Sequence, residues 1–155
     1  MIFQAGAGMQ YAANEVDYVG FWPRLGATLI DTLLLLLITE PLMLIVYGGY
    51  YWAEEVWIHG PAHVLISCVL PFVLQLALWI WLATTPGKMA VKAVIADART
   101  GGKPSAWQFL IHGLAYYLSA LPLFLGFIWI GIDARKQGWH DKLAGTVVIR
   151  RQDVA

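Results

Sequence analysis

The chain has 155 residues, room for one domain, and is 59% hydrophobic with only 13% charged residues, about half the charge of a soluble domain. Ten Lys+Arg balance ten Asp+Glu, so net charge argues against a nucleic-acid partner. The single cysteine, Cys68, lies in an apolar run, which excludes a disulfide framework and gives no basis for a cysteine metal site.

Taken in chain order, Met1 to Val19 contains no Lys or Arg and no long apolar core. It does not read as a signal peptide, so the first spanning helix is expected to be its own insertion signal. Residues 1–18 read as a short, loosely ordered arm. Gly20-Phe-Trp-Pro-Arg24 then opens an apolar helix expected over Phe21 to Tyr47, of which Arg24 to about Met43 suffices to cross the bilayer. Asp31 sits inside it. Seven residues turn a helix through about 700°, so Arg24 and Asp31 share one face, with Thr28 between them. An aspartate at that depth costs about +2.5 to +3.5 kcal/mol on insertion scales and needs a partner within the protein. Arg24 is expected to snorkel to lipid phosphates; Asp31 lies about 10 Å deeper, too far for a direct bond between the two. Asp31 reads either as a structural fastener or as a proton or cation site.

The 48–61 loop carries Tyr50, Tyr51, Trp52 and Trp57 beside Glu54 and Glu55, with no basic residue, as a non-cytoplasmic interfacial loop does. Ala62 to Thr85 follows with no Asp, Glu, Lys or Arg, a second span kinked by Pro71 and marked at its far end by Trp79 and Trp81. Thr85-Pro-Gly-Lys88 reads as an interfacial turn; it is too short for a phosphate loop. Met89 to Ala96 reads as a strand, expected to pair with Thr146 to Arg150 because a lone edge is a liability.

Ser105 to Ile132 carries no formal charge, too long for one span and short for two. Lysines and arginines decide its path. One precedes or opens the first helix, four lie in the 86–104 loop (Lys88, Lys92, Arg99, Lys103) and five in the tail (Arg135, Lys136, Lys142, Arg150, Arg151). A stretch that enters and returns at Pro122 puts all ten on the cytoplasmic side, whereas a single crossing splits them five and five. The hairpin is therefore expected, with Tyr116-Tyr117 near the far interface. The fold class that follows is an all-α membrane bundle: two spanning helices, a proline-broken third membrane stretch and a small cytoplasmic strand pairing.

Gly20-Phe-Trp-x-Arg24 with Ile30-Asp31, then Thr85-Pro-Gly-Lys88 and a strand, then Asp133-Ala-Arg-Lys-Gln-Gly-Trp-His140-Asp141-Lys-Leu-Ala-Gly145-Thr146, resembles the RDD family. The resemblance covers about Val19 to Ile149 and divides the chain into an arm (1–18), a membrane domain (19–150) and a tail (151–155). This family of small, mostly bacterial membrane proteins is named for one arginine and two aspartates. It implies Arg24 and Asp31 as the arginine and first aspartate, with Asp141, or less favourably Asp133, as the second. His112 stands where many members carry arginine, and Lys92 where glycine is common. Sodium/proton antiport has been attributed to some members.

His112, seven residues into the third stretch, lies at about the depth of Asp31, which suggests a pair. Asp133, His140 and Asp141 have no tight ligand spacing and read as solvated turn residues rather than a metal site. Pro41, Pro71 and Pro122 read as ordinary kinks rather than broken helices at a substrate site. No nucleophile–base constellation appears, so no enzyme and no cofactor are expected. Two readings follow for a multi-pass protein of the bacterial inner membrane with both termini cytoplasmic. One is ion- or proton-coupled transport at a buried site of Arg24, Asp31 and His112, moving a monovalent cation or proton, in a homo-oligomer. The other is a non-catalytic accessory or assembly subunit of a larger membrane complex.

Overall fold

The computed structural model describes residues 16–53 and 57–151, so most of the N-terminal arm, Glu54 and Glu55, and residues 152–155 lie outside the described residues. Helix α1 spans Phe21–Tyr47, the bounds expected from its apolar run, and continues through Pro41 to a C-cap at Gly48. A 3-10 turn, Gly48–Trp52, follows.

The second membrane helix is one apolar rod in three pieces: α2 (Pro61–Val64), a π segment (Leu65–Val69) and α3 (Leu70–Leu82). Pro71 accounts for the break. It has no N–H and crowds the carbonyl four residues earlier, and the wider π turn, closed by Leu70 N–H onto Leu65 C=O, absorbs both effects. By length and hydropathy, Phe21–Tyr47 and Pro61–Leu82 are each able to cross a membrane.

Thr85-Pro-Gly-Lys88 is more than a turn. Thr85 caps a short helix, α4 (Pro86–Ala90), its hydroxyl oxygen accepting from Lys88 N–H at 3.3 Å, with Pro86 at the first position, where its missing donor costs nothing. Met89 and Ala90 are thereby helical, and the expected strand begins later, as β1 (Ala93–Asp97). Lys92, where the family resemblance expects glycine, has φ +54°, a left-handed turn between α4 and β1.

Strand β1 pairs antiparallel with β2 (Thr146–Arg150), Ala93 opposite Arg150 and Asp97 opposite Thr146. The other edge of β2 is covered by the chain entering α1: Tyr18 bridges Ile149, and Val19 N–H donates to Val148 C=O at 3.0 Å.

Between the strands run α5 (Ala106–Ala120), α6 (Leu125–Ile132) and α7 (Trp139–Ala144). The break between α5 and α6 falls at Pro122 and bends the pair by 102°, with Leu123 and Phe124 both left-handed. Gly126 lets the arms close: a Cβ there would stand 2.6 Å from Ser119 Cβ on α5. Both ends of the stretch return to one place. Gln108 Nε2 donates to Asp97 Oδ2 at 2.8 Å, and Arg135 Nη2 donates to Ala98 C=O at 2.7 Å.

The core sits at this end of the molecule. Val19, Trp79, Ala83, Ile95, Phe109 and Val148 form a buried cluster in which the entry to α1, the end of α3, both strands and α5 meet. Ile95 N–H donating to Ala83 C=O at 2.7 Å ties the second span to the sheet. Trp79, expected to mark an interface, is part of this core, whereas Trp81 is exposed. Trp79 is the one buried residue of α3, and at the far end the second span meets α1 where His63 N–H donates to the Tyr47 hydroxyl oxygen at 2.8 Å.

Candidate functional site

The N-terminal half of α1 presents Arg24, Ala27 and Asp31 at helical spacing to the interior, and each charge meets a different element. Asp31 Oδ2 accepts from the Thr85 hydroxyl at 2.5 Å, and Asp31 Oδ1 accepts from Gly87 N–H at 2.7 Å. A carboxylate on α1 therefore satisfies the first turn of α4, where free N–H groups favour negative charge. Gly87 permits the approach, because a Cβ there would lie 2.0 Å from Ala27 C=O. Thr85, Pro86 and Gly87 are thus one docking unit for Asp31.

Arg24 does not snorkel. Its guanidinium donates to Asp141 Oδ2 (2.5 Å), Val19 C=O (3.0 Å) and Lys136 C=O (2.7 Å), and both Arg24 and Asp141 are buried. The planar fork suits this arrangement, joining the entry to α1 with the 133–138 turn and α7. Asp141 is the third residue of α7, and its Oδ2 also accepts from Gly138 N–H at 2.9 Å, closing the helix start. Burial alone would raise the Asp141 carboxyl; Arg24 foremost, then His140 and His112, override it and hold the group well below the usual carboxylate range.

His112 meets Asp141 and not Asp31. Its Nδ1 lies 3.1 Å from Thr146 Oγ1 and 3.4 Å from Asp141 Oδ1, and its ring stands edge-on to Trp79 at 5.0 Å. The expectation of an Asp31–His112 pair rested on equal depth; the two side chains turn to different elements, α4 and the α7–β2 corner.

His140 and Asp141 are likewise not solvated turn residues. His140 Nδ1 shares a hydrogen bond with Ser119 Oγ (3.0 Å), which also accepts His140 N–H (3.1 Å). Burial lowers its pKa to about 4, Arg24 and Lys88 adding to the effect and Asp141 opposing it. Asp133, by contrast, lies at the rim, paired with Lys142 at 2.5 Å. Tyr116, expected near the far interface, is in this seam too, its hydroxyl 3.5 Å from Thr28 Oγ1 and its ring tilted at 54° against His140 with centroids 4.6 Å apart.

His112, His140 and Asp141 offer ligand atoms within 4.8 Å of one another. The donor set does not fit a cation. Asp141 Oδ1 and His112 Nε2 have no hydrogen-bond partner, but Asp141 Oδ2 is held by a guanidinium and a backbone N–H, His140 Nδ1 by Ser119, and Arg24 and Lys88 set two positive charges against a cation.

Lys88 completes the group: its ammonium lies over the Trp79 ring at 5.1 Å. Burial lowers its pKa to about 8, Arg24 assisting and Asp141 and Asp31 opposing. Ser119, Thr146, Tyr116 and Trp79 have no local sequence signal marking them as partners of the charged residues; each reads as ordinary helix, strand or interface filler.

Apolar helices able to span a membrane, joined at one end by a buried arginine–aspartate bond and an aspartate-capped turn, define a small integral membrane protein whose charges fasten its elements together. The chain belongs to the RDD family, whose model matches residues 18–145. It is also similar to an uncharacterized protein of Rickettsia prowazekii (strain Madrid E), 36% identical over 72 residues that make up 46% of this chain and 39% of that protein. The match thus spans well under two thirds of that relative's length. No solved structure matches the chain.

Proposed function

We propose that this chain is a non-catalytic, multi-pass accessory or assembly component of a bacterial inner membrane, its buried charges holding the fold rather than carrying an ion. The observation behind this reading is Asp31: both carboxylate oxygens are hydrogen-bonded to α4, at 2.5 and 2.7 Å, so the acid that a transport site would need is occupied as a helix cap. The sparse burial of Pro61–Leu82 agrees, since a span with one buried residue leaves its apolar length to lipid, to further copies of the chain or to a larger complex.

The proposed orientation places the strand pair, both chain ends and all ten basic residues in the cytoplasm, with 105–132 entering and returning. The contacts of Gln108 and Arg135 with the same Asp97–Ala98 corner support the returning path.

A second reading, proton-coupled transport of a monovalent cation, draws on a different observation. His112, His140 and Asp141 offer ligand atoms within 4.8 Å of one another beside a cavity that both histidines line, a set able to share protons. Two measurements on the same preparation separate the readings. An assembly component gives no cation-dependent proton flux when purified alone into liposomes, and co-purifies in gentle detergent with a stoichiometric partner. Cation-dependent flux from the isolated chain, lost in Asp141→Asn, would overturn the first reading in favour of the second.

A further inference from the structure

Between α1, α5 and α6 lies a cavity of about 680 Å³, within the roughly 300–1,000 Å³ of small-molecule sites. Its lining is divided. Leu25, Leu123, Phe124, Phe127 and Ile128 supply a hydrocarbon wall; Arg24, Lys88, His112 and His140 supply a polar end, and no carboxylate among the described residues lines it. Asp31 turns onto Thr85 and Gly87, and Asp141 is held through Oδ2 by Arg24 and Gly138, with its Oδ1 3.4 Å from His112 Nδ1.

Donor capacity remains at that polar end. A guanidinium has five N–H groups, and Arg24 spends three on Val19, Asp141 and Lys136. Lys88 brings a buried ammonium whose positive form is disfavoured by its surroundings, a state that an anion nearby would relieve. His112, fully buried, lines the same cavity, and its Nε2 has no hydrogen-bond partner, a cost that a ligand atom within reach would remove.

We propose that this cavity binds a single-chain amphiphile with a compact anionic head, a carboxylate or phosphate monoester, its head at Arg24, Lys88 and His112 and its chain along α6. A cationic head is repelled by the two basic side chains. A neutral ester adds no charge to offset the burial of the Lys88 ammonium, and a free anion leaves the hydrocarbon wall empty.

The test uses the full chain, purified in a detergent with an uncharged head, and saturable binding of four probes: oleate, methyl oleate, dodecyl phosphate and inorganic phosphate. One oleate or dodecyl phosphate is expected per chain, each at least tenfold tighter than methyl oleate, with no saturable binding of inorganic phosphate. Lys88→Met should erase the preference for oleate over its ester. Ile128→Trp, a change at a half-exposed lining position that leaves the charged end intact, should abolish binding of both while the protein elutes and unfolds as wild type does. Equal affinity for oleate and its ester would overturn the proposal, as would inorganic phosphate binding as tightly as dodecyl phosphate. Oleate binding that survives Ile128→Trp would overturn it as well, whether or not Lys88→Met folds.

Discussion

At the scale of single residues, the buried charges divide into caps and bonds, and each makes a distinct prediction. Asp31 caps α4. Asp31→Asn keeps a carbonyl for Gly87 N–H and an amide to face the Thr85 hydroxyl, so a cost of about 1–2 kcal/mol is expected. Asp31→Leu leaves both donors unpaired and should cost about 3 kcal/mol or more. Thermal midpoints in detergent order the two; a Leu variant as stable as the Asn variant would refute the cap.

His140 sets a pH dependence. Its folded pKa is about 4, against about 6.5 in an unfolded chain, so between those values the unfolded state binds the extra proton. Stability from this group is complete above pH 6.5 and falls as the pH drops towards 4. Asp141 has its depressed pKa lower still, so its contribution is lost only at greater acidity. His140→Gln should reduce the slope of the stability profile between pH 6.5 and 4 by this imidazole's share, and an unchanged slope would remove His140 from that account.

At the scale of elements, what was legible from sequence followed period and punctuation. The bounds of α1, the break at Pro122 and the pairing of the 89–96 run with 146–150 all come from runs of apolar residues closed by prolines, glycines or charges; the bounds 93–97 and the antiparallel register come from the structure. The start of β1 was misplaced because Met89 and Ala90 are as apolar as a strand requires, while the Thr85 cap and Pro86 that make them helical act through only three residues. The partners of Arg24 and Asp31 were not legible, since 117 and 56 positions separate Arg24 from Asp141 and Asp31 from Gly87. Resemblance named the acids without saying what each one holds, and burial of α7 was hidden by a segment as polar as any surface turn. Gly87 is the sharpest element-level test. Its Cβ position falls against a backbone carbonyl of α1, which cannot rotate aside, so Gly87→Ala should cost about 3 kcal/mol or more and loosen α4. A thermal midpoint within a degree of wild type would contradict the close packing.

At the scale of the whole molecule, the sheet end gathers the entry to α1, the exit of the second span and both ends of the α5–α6 stretch, while at the opposite end Tyr47 of α1 meets His63 at the start of the second span. All ten basic residues lie at the start of α1, in the 86–104 loop or in the tail, which predicts one-sided labelling. In a Cys68→Ser background, an impermeant thiol reagent outside the cell should modify Glu55→Cys and spare Gly102→Cys and Asp153→Cys. Modification at 153 from outside would exclude the returning hairpin.

The claim on which the rest depends is that the Arg24–Asp141 bond closes this end of the molecule, joining α1 to α7 across nearly the full chain. A buried ion pair has a known signature: removing one partner leaves an uncompensated buried charge and costs about 3–5 kcal/mol, whereas removing both for apolar groups costs far less than the sum. The direct measurement is the thermal midpoint, in one detergent, of Arg24→Met, Asp141→Leu and the double variant. The account predicts two severely destabilised single variants and a double variant no less stable than the worse of them. Losses that simply add, or single variants that melt with the wild type, would contradict it.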